Sequence, residues 1–120
     1  MTSYNDRSPH YSPFTRGAGL IFVSGQLPLR PGRDTSLASA SFKDQAQQTL
    51  ANLQSVLKDA GADLSQVVKT TVYLSDMADW NELDDVYGQF FGDTRPARSV
   101  VPTGPLHFGF RIEIEAVAAE

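Results

Sequence analysis

The chain contains no cysteine and only two histidines among its 120 residues. Without cysteine there is no disulfide framework, no thiolate zinc site and no thiol nucleophile. His10 and His107 are too few for zinc, which usually takes three or four protein ligands, and the H-E-x-x-H spacing is missing. We therefore expect no bound metal.

An excess of basic residues is also missing, since 10 Lys and Arg stand against 14 Asp and Glu, a net charge of −4. Nucleic-acid binding is disfavoured, because it draws most of its non-specific affinity from a basic face. Gly17 and Gly19 precede a strand rather than a helix, which does not fit a dinucleotide-binding loop. We expect no cofactor.

Long apolar runs are absent as well, and none approaches the roughly 20 residues that cross a bilayer. Residues 1–11 are polar and lack the basic-then-apolar order of a signal peptide. They predict a flexible tail on a cytoplasmic protein that does not bind membranes. Hydrophobic residues make up 41% of the chain, enough for the core of one domain spanning residues 1–120.

The clearest predicted helix begins at Ser41, which has capping-box spacing to Asp44, and ends before Gly61. Its apolar positions recur every three or four residues and predict a buried stripe: Phe42, Ala46, Leu50, Leu53, Leu57 and Ala60. The remaining positions predict a solvent face: Lys43, Gln45, Gln48, Asn52 and Lys58.

A second predicted helix begins at Asp76 or Asp79, ends at Gly92 and carries an aromatic stripe: Trp80, Leu83, Tyr87, Phe90 and Phe91. Strands are predicted around residues 20–23, 66–74, 96–101 and 111–118. In the second of these, we expect Val68, Thr70, Val72 and Leu74 on one face. In the last, Ile112, Ile114, Ala116 and Ala118 alternate with Arg111, Glu113 and Glu115.

This order of elements predicts an α+β sandwich in which one sheet carries both helices on one face. The other face must then meet water or another subunit. The apolar residues available for it favour a subunit, so we expect an oligomer.

Two short stretches carry groups suited to catalysis. In Pro96-Ala97-Arg98-Ser99, the proline restricts how the arginine enters its strand, and a guanidinium matches a carboxylate in a bidentate fork. The alternative to a functional Arg98 is an ordinary arginine of the surface or of an interface. Glu113 and Glu115 share one strand face, where a poised carboxylate can deprotonate water; the alternative is a solvated face with an Arg111–Glu113 charge pair.

Ser24, at the end of the first apolar strand, is a candidate for binding a small polar ligand. It is not a convincing nucleophile, because the G-x-S-x-G context is missing and neither histidine has a recognisable triad partner.

Five segments in this order resemble the Rid (reactive intermediate deaminase, YjgF) family, from about residue 12 to residue 118. They are VSGQLP at 23–28, VKTTVYL at 68–74, YGQFF at 87–91, PARS at 96–99 and IEIEAVA at 112–118. The resemblance implies a chorismate-mutase-like fold, a homotrimer whose sheets form a central barrel, and clefts between subunits. It also implies cofactor-independent hydrolysis of enamines or imines such as 2-aminoacrylate to a 2-keto acid and ammonia.

The same resemblance assigns roles to individual residues. Arg98 matches the arginine that binds the substrate carboxylate, and the backbone N–H of Val100 assists it. Glu113 matches the glutamate that activates water, and Ser24 matches a serine of the cleft.

The chain departs from the family pattern at three positions. Phe14 replaces a common tyrosine of the cleft, Asp84 replaces a usual asparagine, and His107 replaces a proline within an aromatic-rich loop. Tyr87 or Phe91 is a candidate wall of the pocket. We expect the chemistry to be retained, with a bulkier or less acidic imine of a specialised pathway as an open alternative.

Two other functions stay open at this point. A non-catalytic paralogue would use the same clefts to bind small carboxylates without turnover. Ribonuclease activity, sometimes attributed to the family, is disfavoured by the acidic charge balance.

Overall fold

The structure, a computed structural model, describes residues 9–120. Most of the predicted tail therefore lies outside the described residues, and residues 9–11 are exposed. The described residues form five strands and two α-helices, in the order β1 (Phe14–Gly17), β2 (Leu20–Gln26), α1 (Phe42–Asp59), β3 (Val67–Leu74), α2 (Trp80–Phe91), β4 (Ala97–Pro102) and β5 (Ile112–Ala119).

The strands form one mixed sheet in the order β1-β2-β5-β3-β4. Only β3 and β4 pair in parallel, because α2 forms the crossover that a parallel connection requires. The other pairs are antiparallel. The predicted α+β architecture, one mixed sheet with two helices packed on it, is confirmed.

The core lies between the sheet and the helices. On β5, the four predicted inward residues are at most 4% exposed and alternate with half-buried ones. The predicted stripe of α1 is buried along its whole length. Each large aliphatic side chain buried in this way contributes about 1.5–3 kcal/mol.

Helix α1 begins and ends as predicted. Ser41 Oγ accepts a hydrogen bond from the backbone N–H of Asp44 at 3.1 Å, which satisfies a free donor of the first turn. Past its end, Gly61 has a φ of 80°, a conformation that favours glycine.

The prediction of a solvent-facing Gln45 is wrong, because its side chain is fully buried. Its Oε1 accepts the backbone N–H of Arg111 at 2.9 Å, and its Nε2 donates to the carbonyl of Ala40 at 3.2 Å. The amide is therefore buried at low cost, since its hydrogen bonds are made.

Asn52, placed on the same predicted face, is half-buried. Its Nδ2 donates to the carbonyls of Leu27 and Leu29 at 2.9 and 2.8 Å. Gln48 is also half-buried and donates to Asn52. Only Lys43 and Lys58 of that predicted face are exposed.

Strand β3 departs from simple alternation at its start. The register shifts between Val67 and Lys69 against β5, and such a bulge reverses which side chains point inward. Val67 is therefore 4% exposed and Val68 47%. The predicted inward position of Val68 is wrong, whereas Thr70, Val72 and Leu74 are buried as predicted.

The aromatic stripe of α2 is only partly in the core. Leu83, Tyr87 and Phe91 are buried, but Phe90 is half-buried and Trp80 is 38% exposed. Val86 takes an inward position that the stripe omitted. Gly92 ends the helix as predicted.

Asp76 and Asp79, the two candidates for the start of α2, have different roles. Asp76 caps a short 3₁₀ turn, Met77–Asp79, by accepting from the N–H of Ala78. Asp79 instead binds Arg111 through two N···O contacts. The alternative of an Arg111–Glu113 charge pair is therefore wrong.

Replacing Gln45 tests its structural role. Gln45→Ala leaves the Arg111 N–H and the Ala40 carbonyl without their partner, so we expect the free energy of unfolding to fall by about 2 kcal/mol. Urea unfolding measures this change. Gln47→Ala, at an exposed position of the same turn, is the control; equal stabilities of the two variants would contradict the assignment.

Candidate active site

Arg98 lies on the edge strand β4 and points to the helix-covered side of the sheet. It pairs in register with Thr70, a fully buried residue. Its guanidinium lies over the ring of Tyr87, 4.7 Å from the centroid, and 5.5 Å from that of Trp80. Such cation–π contacts hold the charge in place without using its N–H donors.

Asp84 of α2 binds the same guanidinium. Its Oδ1 lies 3.0 Å from Nη2 of Arg98. The Arg98 side chain is 20% exposed and that of Asp84 51%. Asp84, which replaces the usual asparagine of the family pattern, is therefore in direct contact with Arg98.

A cavity of about 560 Å³ opens beside this ion pair, lined by Arg98, Asp84, Tyr87, Phe91 and Arg95 among others. Tyr87 is held by a 2.8 Å hydrogen bond between its hydroxyl and that of Thr70. Burial raises the pKa of this hydroxyl, while the Thr70 bond and the Arg98 charge oppose the rise. Tyr87 and Phe91, the candidate walls of the pocket, both line this cavity.

Val100 follows Arg98 by two residues on the same side of β4. It pairs in register with Val72 and packs against the core. Its side chain therefore has a packing role.

Glu113 lies on β5 on the sheet face that carries no helix. It is paired in register with Tyr73 and is half-buried. Burial raises the pKa of its carboxyl, and the neighbouring charge of Glu115 raises it further, while His107 acts in the opposite direction. A carboxyl with a raised pKa is suited to accepting a proton from water.

Tyr73 pairs in register with Glu113 and binds the other glutamate of this face, Glu115. Its hydroxyl donates to Glu115 Oε1, and this bond raises the pKa of the tyrosine. Neither Tyr73 nor its role was found from the sequence, because the cross-strand register that brings it to Glu115 is not visible there.

Gly25 makes room for the carboxyl group of Glu113. A Cβ atom at Gly25 would lie 2.7 Å from Glu113 Oε2, far inside van der Waals contact. Strand β2 is irregular here, between Val23 and Gln26. The SGQ motif marked this turn in the sequence, but the contact needs the pairing of β2 with β5.

Ser24, next to Gly25, ties the preceding segment to the sheet. Its Oγ donates to the carbonyl of Ser12 at 2.7 Å and its N–H to that of Pro13 at 3.0 Å. The oxygen remains able to accept a hydrogen bond from a ligand.

One row across the sheet separates the predicted site residues into two groups. Its members, paired in register from edge to edge, are Phe14, Val23, Ala116, Thr70 and Arg98. Strands lie about 4.8 Å apart, so Phe14 and Arg98 are roughly 19 Å apart at opposite edges. Phe14 and Ser24 lie towards the β1 edge, and Arg98, Asp84, Val100 and Phe91 lie towards the β4 edge. Glu113 lies between these groups, on the central strand β5 and against Gly25.

The two predicted catalytic side chains also leave opposite faces of the sheet. Arg98 shares its row with Thr70 and Glu113 shares its row with Tyr73. Thr70 and Tyr73 are an odd number of residues apart on one strand, and side chains alternate between faces. Within one chain, therefore, Arg98 and Glu113 do not line a common pocket.

Two further properties bear on the site. Among residues 9–120, no three His, Asp or Glu side chains cluster so that they could hold a metal ion. No helix in this part of the chain has the length and apolar character needed to cross a membrane.

Comparison with known proteins gives consistent matches along the chain. The family model described as endoribonuclease L-PSP matches residues 5–120. A RutC family protein of Pyrococcus horikoshii is 38% identical over 90% of this chain and 85% of its own length. The human 2-iminobutanoate/2-iminopropanoate deaminase is 42% identical over 83% of this chain and 72% of its own length.

Solved structures agree with the sequence matches. The crystal structure of E. coli TdcF with bound serine superposes with a TM-score of 0.85 at 29% identity, covering 95% of this chain and 91% of that one. With the family model matching nearly the whole chain, the protein belongs to the Rid/YjgF family, and relatives about 40% identical to it are named imine deaminases.

Proposed function

We propose that the protein hydrolyses small enamines or imines bearing a carboxylate, of the 2-aminoacrylate type, to a 2-keto acid and ammonia. The observation that carries the proposal is the pair of half-sites: a guanidinium held over two aromatic rings at one sheet edge, and a carboxyl of raised pKa on β5. The imine deaminase names of relatives support the same reaction.

The two half-sites belong, in this proposal, to neighbouring subunits of a homotrimer. Edge strand β4 of one chain would meet the β1–β2 side of the next, and cyclic symmetry would repeat the junction three times. The helix-free face carries Phe22, which is 43% exposed, together with Tyr73 and Val117. An exposed apolar face of this kind is typical of a contact surface.

The reaction needs only positioning and one general base. Arg98 binds the carboxylate, so that the imine carbon faces a water molecule held by Glu113. Glu113 takes a proton as the water oxygen bonds to the carbon, which gives a carbinolamine. The proton then passes from Glu113 to the nitrogen, and the C–N bond breaks with its electrons on nitrogen. The carbinol hydroxyl gives its proton back to Glu113 as the carbonyl forms, and ammonia and the 2-keto acid leave.

A general base of this kind accelerates the reaction by about 10²–10⁴-fold over the uncatalysed hydrolysis, and orientation of the substrate adds a further acceleration. The hydrolysis is already fairly easy without a catalyst, so these effects suffice. No residue of the scheme requires a cofactor or a metal ion.

The bound serine of E. coli TdcF supports a pocket for small molecules of the amino-acid class. Two alternatives remain for the test to decide. A carboxylate-binding protein without turnover would bind 2-keto acids yet release no ammonia above background. The endoribonuclease description of the family suggests RNA cleavage, which the net charge of −4 disfavours.

Removing the guanidinium tests the carboxylate-binding role. Arg98→Ala is expected to lower kcat/KM for imines generated in situ from 2-aminobutanoate by at least about 100-fold, since a charge-assisted bidentate contact is lost. Ammonia release measures the rate, and Arg30→Ala is the control. Wild-type rates in the Arg98 variant would remove Arg98 from the site.

Mixing two inactive variants tests the shared site. Arg98→Ala and Glu113→Gln subunits, unfolded and reassembled together at equal amounts, are expected to recover about a quarter of wild-type activity, because one junction in four then combines an intact Arg98 with an intact Glu113. The control mixes Arg98→Ala with the double variant, which can restore no junction. No recovery in the test mixture would place both groups in one chain or neither in the site.

Glu115 offers a test through pH. Glu113 accepts a proton only when ionised, so turnover falls as the pH drops through its pKa. Because the charge of Glu115 raises that pKa, Glu115→Gln is expected to lower it and move the acidic limb of the rate profile to lower pH. Rate profiles of the wild type, this variant and a Glu82→Gln control measure the shift; an unmoved limb would argue against Glu113 as the base.

A further inference from the structure

The carboxylate of Asp84 binds one nitrogen of the Arg98 guanidinium, the group that binds the substrate carboxylate in the proposed function. The two groups lie 3.0 Å apart on the wall of the 560 Å³ cavity, with Asp84 the more exposed. Of residues 9–120, only Asp84 makes an ion pair or hydrogen bond with the guanidinium of Arg98. A ligand in this cavity therefore meets a positive and a negative group side by side.

Both partners keep free hydrogen-bonding capacity. A guanidinium has five N–H donors and a carboxylate has two acceptor oxygens, and the observed contact uses one nitrogen and one oxygen. Tyr87 and Trp80 hold the guanidinium from its face, and Asp84 lies on the same helix as both rings. The pair is thus fixed in position with its remaining edges available.

Arg95 also lines the cavity. The wall then carries two positive groups and one negative group, so a carboxylate is still attracted after Asp84 neutralises one charge. What Asp84 adds is a site for a positive group within a few ångströms of that carboxylate.

A protonated 2-imino acid has this charge pattern, because its carboxylate and its cationic nitrogen are on adjacent carbons. Its carboxylate can bind Arg98 while its nitrogen binds Asp84. The 2-keto acid product has the same carboxylate but an uncharged oxygen in place of the nitrogen. It keeps the attraction to Arg98 and gains repulsion from Asp84.

We propose that Asp84 is a specificity-determining residue that makes the pocket select zwitterionic ligands, the protonated imino acid substrate above all, over the anionic keto acid product. This inference rests on the proposed function for the identity of the substrate. Asp84 has a second effect of the same sign: a nearby negative charge favours the protonated imine, which is the form that water attacks more readily.

Stable ligands test the inference. The assembled protein is titrated at pH 7 by calorimetry with 2-aminobutanoate, a zwitterion, and 2-oxobutanoate, an anion with the same carbon chain. Asp84→Asn keeps the shape of the side chain and removes its charge. Asp85→Asn, at an exposed neighbouring position outside the cavity lining, is the matched control.

We expect the wild type to favour 2-aminobutanoate. In Asp84→Asn the affinity ratio should move towards 2-oxobutanoate by about tenfold, equivalent to about 1.4 kcal/mol, with the ratio in Asp85→Asn unchanged. Inhibition of the deaminase by 2-oxobutanoate should become correspondingly stronger in Asp84→Asn. An unchanged ratio in Asp84→Asn, or a wild type that binds neither ligand, would overturn the inference.

The ligands are not turned over, so the binding result is independent of catalysis. A protein that shows the expected ratios but releases no ammonia from imines would refute the proposed function alone. A working deaminase whose Asp84 variant keeps the wild-type ratio would refute the role of Asp84 alone.

Discussion

The width of the sheet limits what a single chain can build. Four strand spacings separate Phe14 from Arg98 along one paired row, about 19 Å, and the core fills the space between them. The two catalytic candidates are divided in a second way, because Arg98 on the edge strand β4 and Glu113 on the central strand β5 leave opposite faces of the sheet. A second copy of the chain is the simplest way to bring them together, and the proposed function depends on that junction.

Local irregularities of the strands place the individual groups. The break in pairing at Ser24 and Gly25 leaves space for the carboxyl of Glu113, and partial burial beside Glu115 adjusts its pKa. At the other edge, Pro96 leads into β4 and the rings of Tyr87 and Trp80 support Arg98. In both places the local structure fixes a charged group where water is only partly excluded. Partial exposure keeps the cost of burying the charge low, and partial burial strengthens its electrostatic interactions.

The regular parts of the fold were predictable because their periods are uninterrupted: the stripe of α1 and the alternation of β5 both match the structure. The prediction for Val68 is wrong because a bulge interrupts the alternation of β3. The prediction for Gln45 is wrong because the sequence does not show the tertiary hydrogen bonds that allow an amide to be buried. In the site, Arg98 and Glu113 were named through the family motifs. Their opposite faces, and the Asp84 contact, depend on sheet register and helix packing, which motifs do not encode.

The central claim is that Arg98 and Glu113 act together across a boundary between subunits. A crystal structure of the assembled protein with 2-oxobutanoate bound tests it directly. We expect the ligand carboxylate to bind Arg98 of one subunit and the ligand carbonyl carbon to face Glu113 of the next, with room for about one water molecule between them. A ligand held by one chain alone, with every Glu113 remote from it, would contradict the account.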